Sequence, residues 1–150
     1  MLLIAHRGNL QGPMPSLENS PAHIQRALDA GFCVEIDLRV KNDELYLGHD
    51  YAQYPIDEEY LVQNKNKLWV HCKDKDAMTK AIKLNLNCFW HDTDDYTITS
   101  YGYVWCFPNK EPVGNRSVTV LPELYKELSE ISKESLFAVC SDYVLDIQNI

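Results

Sequence analysis

Short apolar runs alternate with amphipathic stretches along most of this chain. Residues 2–5 form a continuous apolar run, the pattern of a buried strand. Residues 9–19 carry Gly12, Pro13 and Pro15 and read as a loop. Ser20-Pro21 then looks like a helix start, with Ser20 as N-cap and Pro21 in the first helical position. Ile24, Ala27 and Leu28 make one helical stripe, and Gly31 ends it. Residues 33–40 alternate with a period of two: Val34, Ile36, Leu38 and Val40 share one face, and Glu35, Asp37 and Arg39 the other. Residues 41–44 read as a turn, and residues 45–47 as a return strand that delivers His49 beside Asp37.

Further along, residues 57–62 predict a short helix and residues 68–72 a strand. Ala77, Met78, Ala81 and Ile82 give a second amphipathic helix. Strands are expected at residues 88–90, 103–107, 117–121 and 136–140, with residues 94–96 as a loop. Pro122 opens a helix whose inward face is Leu124, Leu128 and Ile131. Trp69, Trp90 and Trp105 fall in three successive strands and read as core. The alternation of strand and helix predicts a parallel sheet with helical crossovers in a single domain over residues 1–150. In such sheets chemistry gathers at the C-terminal strand ends. His6, Glu35, Asp37, Lys73, His91 and Asp142 all fall at or just past such ends.

Glu35 and Asp37 on one strand face are costly to bury unless something offsets their charge. A hard divalent ion, Mg²⁺ or Ca²⁺, does so with oxygen ligands. The alternative is a pair of surface or salt-bridged acids with Arg39 as partner. His6 and His49 are the candidate acid–base pair, because imidazole titrates near neutral pH. Arg7 can grip non-bridging phosphate oxygens through its planar fork, and Lys73 can add positive charge. His71 reads either as a third metal ligand, as a substrate contact, or as a buried structural histidine. Glu18 is best read as support for the helix start, and His23 as needing no function. His91, Asp92, Asp94 and Asp95 make a second metal-like run whose simpler reading is capping and solvation.

Composition narrows the classes. The net charge of −8 argues against nucleic acid as a partner. No segment approaches the run of about 18 apolar residues that a membrane span needs. The N-terminal residues lack the basic region of a signal peptide, so a cytoplasmic location is expected. The five cysteines form no CxxC pair and read as small buried hydrophobes in a reducing compartment. No feature sets the oligomeric state.

His6-Arg7-Gly8, Glu18-Asn19-Ser20, Glu35-Ile36-Asp37 and His49-Asp50, taken in this order, resemble the glycerophosphodiester phosphodiesterase family. Residues 68–73 resemble that family's third strand, with His71 standing where the family carries a Glu, and Ser141-Asp142-Tyr143 is similar to its closing strand. The resemblance implies a phospholipase C-like TIM barrel, here reduced to about seven mostly parallel core strands. It implies metal-dependent hydrolysis of a small phosphodiester, glycerophosphodiester or sugar-linked, with His6 and His49 as acid and base. Glu35 and Asp37 would be metal ligands, and Arg7 and Lys73 would hold the phosphate. Two other expectations stand beside this one: a non-catalytic phospholigand-binding domain, and a metal-dependent lyase or isomerase.

Overall fold

The computed structural model describes residues 1–150. Ten strands form in chain order: β1 (Leu2–His6), β2 (Cys33–Lys41), β3 (Glu44–Leu47), β4 (Tyr54–Pro55), β5 (Leu68–Cys72), β6 (Cys88–Phe89), β7 (Tyr96–Ile98), β8 (Val104–Cys106), β9 (Ser117–Val120) and β10 (Ala138–Ser141). The helices are α1 (Pro21–Asp29), α2 (Glu58–Gln63), α3 (Lys75–Lys83), α4 (Leu128–Ile131) and α5 (Val144–Asn149). No helix is long and apolar enough to cross a membrane.

The expected reduced TIM-like barrel of mostly parallel strands does not form. The strands make one mixed sheet curled into an open half-barrel. Antiparallel ladders β2–β3, β3–β4 and β7–β8 stand among the parallel ones. β5 pairs with β2 and β6, while β1, β10, β9, β8 and β7 follow on the other side of β2. Two features leave the barrel open. β7 turns back antiparallel onto β8 and so ends the sheet, and no ladder joins it to β6. The chain between β8 and β9 holds only a 3₁₀ turn at Gly114–Arg116, too little for a covering helix. Side chains span the gap instead: Phe89 of β6 stacks on Trp105 of β8, with ring centroids 4.4 Å apart.

The first half of the chain follows the sequence pattern closely. Ser20 caps α1 by accepting from the His23 N–H, Pro21 takes the first turn, and Gly31 follows at φ 95°. Asp57 and Asp74 cap α2 and α3 in the same way. Ile24, Ala27, Leu28, Ala77 and Ala81 pack with Val34, Ile36, Leu38 and Val70 into a 20-residue core on the outer face of the sheet. A smaller cluster on the inner face holds Ile4, Trp69, Phe89, Trp105, Val118, Val120, Ala138 and Cys140. All five cysteines lie on strands and are free.

The second half departs from expectation in three places. The helix expected from Pro122 breaks into a 3₁₀ turn (Pro122–Leu124) and the four-residue α4, because Tyr125 leaves helical dihedrals at φ −146°. Ile131 is buried, but Leu124 is 69% exposed. Tyr96, read as loop, opens β7. Trp90, read as core, lies just past the end of β6 and is exposed.

Candidate active site

Parallel register places the polar residues side by side. His6 of β1 pairs with Glu35 of β2, and Asp37 pairs with His71 of β5. The two-residue period turns all four to the inner face, opposite Val34, Ile36 and Leu38. Glu35 is 2% exposed and Asp37 fully buried. Lys73 follows β5 directly, with its Nζ 3.9 Å from Asp37 Oδ1.

Asp37 is held unevenly. Its Oδ2 accepts from Asn19 Nδ2 at 2.8 Å and faces Arg7 Nε at 3.2 Å, while its backbone N–H donates to Asn19 Oδ1 at 2.9 Å. Its buried Oδ1 has no hydrogen-bond partner. His71 Nδ1 stands 3.2 Å from that oxygen, an ion-pair distance whose angles fall short of a hydrogen bond. The same nitrogen is 3.8 Å from Glu35 Oε1. Ligand atoms of Glu35, Asp37 and His71 all lie within 4.8 Å of one another, and no other group of three such residues does so. His71 Nε2 is 2.8 Å from the His91 carbonyl. A carbonyl only accepts, so Nε2 carries the proton. In the neutral ring, Nδ1 then aims a lone pair at two carboxylates. Arg7 and Lys73 offset part of this charge, and a proton on Nδ1 or a metal ion between the ring and the acids would offset the rest. The donor set and the orphaned oxygen therefore fit a dication.

The charges agree with this geometry. Burial pushes the Glu35 carboxyl up, and the neighbouring Asp37 charge adds to it. Burial also works to raise Asp37, but the His71 imidazole and the Arg7 guanidinium outweigh it and hold Asp37 well below the carboxylate range. A dication between the two would lower both.

Two imidazole–carboxylate pairs border the same space. His6 Nδ1 lies 2.8 Å from Asp142 Oδ1, and His49 Nδ1 lies 2.7 Å from Asp50 Oδ1. With each Nδ1 engaged, each ring keeps Nε2 for other partners. Burial works to lower the His6 pKa, yet the Asp142 hydrogen bond and the Glu35 charge leave it raised. His49 reaches the site through the β2–β3 hairpin: the Gly48 N–H donates to the Asp37 carbonyl at 3.0 Å, and Arg39 donates to the Gly48 and His49 carbonyls. Arg39 therefore serves the hairpin and not the acids. Gly48, just past the end of β3, sits at φ 151°, where a Cβ would clash with the Tyr51 carbonyl oxygen, so this position admits only glycine.

Arg7, Glu18 and Asn9 form the support beneath these groups. Arg7 Nη1 donates to Glu18 Oε2 at 3.0 Å, and its Nε faces Asp37. The guanidinium thus engages two carboxylates along the edge of the cavity. Glu18, expected to support the helix start, turns into the site instead, because Asn19 adopts left-handed dihedrals at φ 63° and bends the chain. Asn9 is fully buried. Its Nδ2 donates to Glu18 Oε1 and Asp142 Oδ1, and its Oδ1 accepts from the Met14 N–H and lies 3.0 Å from His23 Nε2. His23 is therefore part of the site's support, contrary to the reading that it needs no function. Nothing in the local pattern marks Asn9. Asn19 lies inside the Glu-Asn-Ser motif, and Asp142 was signalled by its place after a strand and by the likeness of Ser141-Asp142-Tyr143 to a closing strand.

A cavity of about 330 Å³ is lined on this side by His6, Arg7, Glu35, His49, His71 and Lys73. The second metal-like run does not assemble. His91 Nε2 meets the Asp94 carbonyl at 2.6 Å, Asp95 pairs with Lys110 at 2.9 Å, and Asp92, Asp94 and Asp95 are exposed. A larger hollow of about 560 Å³ lies on the outer side, by the hairpin and the start of α2. Its charged lining, Asp43, Glu44, Asp57 and Glu58, is exposed and offers no imidazole or cation beside the acids, so the smaller cavity is the candidate site. Compared with protein-family models, with curated proteins and with solved structures, the chain matches none.

Proposed function

We propose that the protein is a metal-dependent phosphodiesterase acting on a small-molecule phosphodiester, the activity that the glycerophosphodiester phosphodiesterase resemblance implies. The observation that carries this is the convergence of two carboxylate-oriented imidazoles, His6–Asp142 and His49–Asp50, on the cavity that Glu35 and His71 of the Glu35–Asp37–His71 cluster also line. Glu35, Asp37 and His71 would hold the ion, Mg²⁺ or Ca²⁺. A dication held by these residues would supply positive charge to offset the charge that builds on the phosphate in the transition state. Lys73 and Arg7 add positive charge on the same side. His6, whose pKa is raised, is suited to donate its Nε2 proton to the departing alcohol. His49, oriented by Asp50, accepts at Nε2 a proton of the attacking water, whose oxygen bonds to phosphorus as the P–O bond to the departing alcohol breaks. A net charge of −8 leaves nucleic acid out as substrate. We further propose a cytoplasmic location, on the ground that five thiols on five strands are all free.

The test is release of nitrophenol from bis(p-nitrophenyl) phosphate, with Mg²⁺ or Ca²⁺ and with chelator. Turnover should vanish with chelator and fall by at least about 100-fold in His49→Asn. His6→Asn should lose more on a methyl ester than on the nitrophenyl ester, whose leaving group needs no acid. Chelator-resistant turnover, or full activity in both variants, would overturn the proposal. Tight binding of a phosphodiester without any turnover would assign a phospholigand-binding role instead.

A further inference from the structure

We infer that the cavity is shaped for a phosphodiester with one small apolar alcohol, aryl or short alkyl, seated on the wall opposite the imidazoles. The inference rests on the phosphodiester reading above for the anionic half of the ligand. The cavity is two-sided. Its polar lining comes from β1, β2, β5, the hairpin and His91-Asp92 after β6, whereas Trp105, Phe107, Pro108, Val120 and Leu121 line the side built by β8 and β9. No charged residue between positions 105 and 121 lines it. A ligand filling both sides must carry its charge at one end and apolar surface at the other.

Leu121 supplies an independent sign. It follows β9 in left-handed dihedrals, φ 47° and ψ 48°, a region that bulky side chains rarely occupy. Its N–H donates to the Cys140 carbonyl at 2.8 Å, which locks the backbone, and its side chain packs against the inner-face cluster. Glycine or asparagine would hold this conformation at less cost. A branched apolar side chain kept in a disfavoured conformation on a cavity wall points to a use for that side chain.

The aromatic rings there do not form a cage for an ammonium group. Trp105 is stacked on by Phe89 at 4.4 Å and flanked by Trp69 at 6.0 Å, and Phe107 packs edge-on to His91 at 5.5 Å. The wall offers apolar area and no box of open ring faces. The volume of about 330 Å³ lies at the lower end of ligand pockets, which hold about 300–1,000 Å³. That space takes a phosphate and one compact group, not a long acyl chain.

The experiment measures binding by calorimetry, in Mg²⁺, of dimethyl phosphate, butyl methyl phosphate and benzyl methyl phosphate, and in parallel their hydrolysis. The wild-type protein should bind the butyl and benzyl esters at least about tenfold more tightly than the dimethyl ester. Leu121→Gly, which the left-handed backbone accommodates, and Phe107→Ala, at a partly exposed position, should each bring the three esters within about threefold of one another. Equal affinity of the wild-type protein for all three, or a preference that survives in both variants, would overturn the inference. A binding preference without hydrolysis would uphold the apolar wall and remove the hydrolase reading. Hydrolysis without preference would do the reverse.

Discussion

In the half of the sheet formed by β1, β2 and β5, every second residue at the strand ends is ionisable, and α1 and α3 cover the other face. In the half formed by β8, β9 and β10, the same inner positions hold Trp105, Val118, Val120, Ala138 and Cys140, and the connections are turns and the four-residue α4. The contrast shows how one sheet divides its labour. Crossover helices give the first half a dry outer core, and that anchored scaffold can carry two buried carboxylates at its inner edge. The second half has fewer helices to cover it and ends the sheet, but its apolar inner face shields the charged cluster from water. The halves are joined by the β1–β10 ladder and meet again across the open side, where Phe89 stacks both on His71, at 5.0 Å, and on Trp105. The polar half therefore depends on the apolar one for its environment.

Three substitutions bear on this comparison. Phe89→Ala removes the side chain that bridges the open side of the sheet and should destabilise the protein by about 3–5 kcal/mol, read by urea unfolding. A loss under about 1 kcal/mol would mean that the bridge across the open side adds little to the β1–β10 ladder that already joins the halves. Arg7→Met leaves the fully buried Asp37 with only Asn19 and its imidazole and lysine neighbours. It should cost about 3 kcal/mol in chelator, with Ca²⁺ restoring part of the loss as a larger rise in Tm than in the wild-type protein. Unchanged stability would show that the polar half does not need this cation.

Asp142→Asn should act least, and its effect depends on pH. Burial works to lower the His6 pKa, but the Asp142 bond and the Glu35 charge leave it raised above the ordinary 6.5. Burial works to raise the Asp142 pKa, but His6 holds it below the ordinary 3.8. The His6 contribution is full below 6.5 and fades as pH rises through its raised folded value. The Asp142 contribution is full above 3.8 and fades as pH falls through its depressed folded value. The stability difference between Asp142→Asn and wild type, measured in chelator, should therefore be widest between pH 3.8 and 6.5 and narrow on either side. A difference that does not change with pH would show that the pair carries no linked charge.

Much of the polar half was legible in the sequence because its signals are local. The alternation of residues 33–40 sets Glu35 and Asp37 on the face opposite Val34, Ile36 and Leu38, and Ser20, Pro21 and Gly31 mark the ends of α1. The apolar half was less legible. A stripe at helical spacing, Leu124, Leu128 and Ile131, failed to make one helix because Tyr125 broke the turn. Trp90 reads like core but falls past the end of a two-residue strand. Glu18 and Asn9 found their partners through the bend at Asn19 and through Asp142, neither of which has a periodic signature.

By itself the sequence determined which side chains share a face, where α1 begins and stops, and which motifs come in which order. These are properties of a few neighbouring residues, set by backbone geometry and capping. Tertiary structure decided that the sheet stays open, that Glu18 serves Arg7, and which proton His71 keeps. It also joined His6 to Asp142 across 136 positions of chain. Such contacts follow from which strands pair and how the sheet curls, and side-chain periodicity along a single segment carries no record of either.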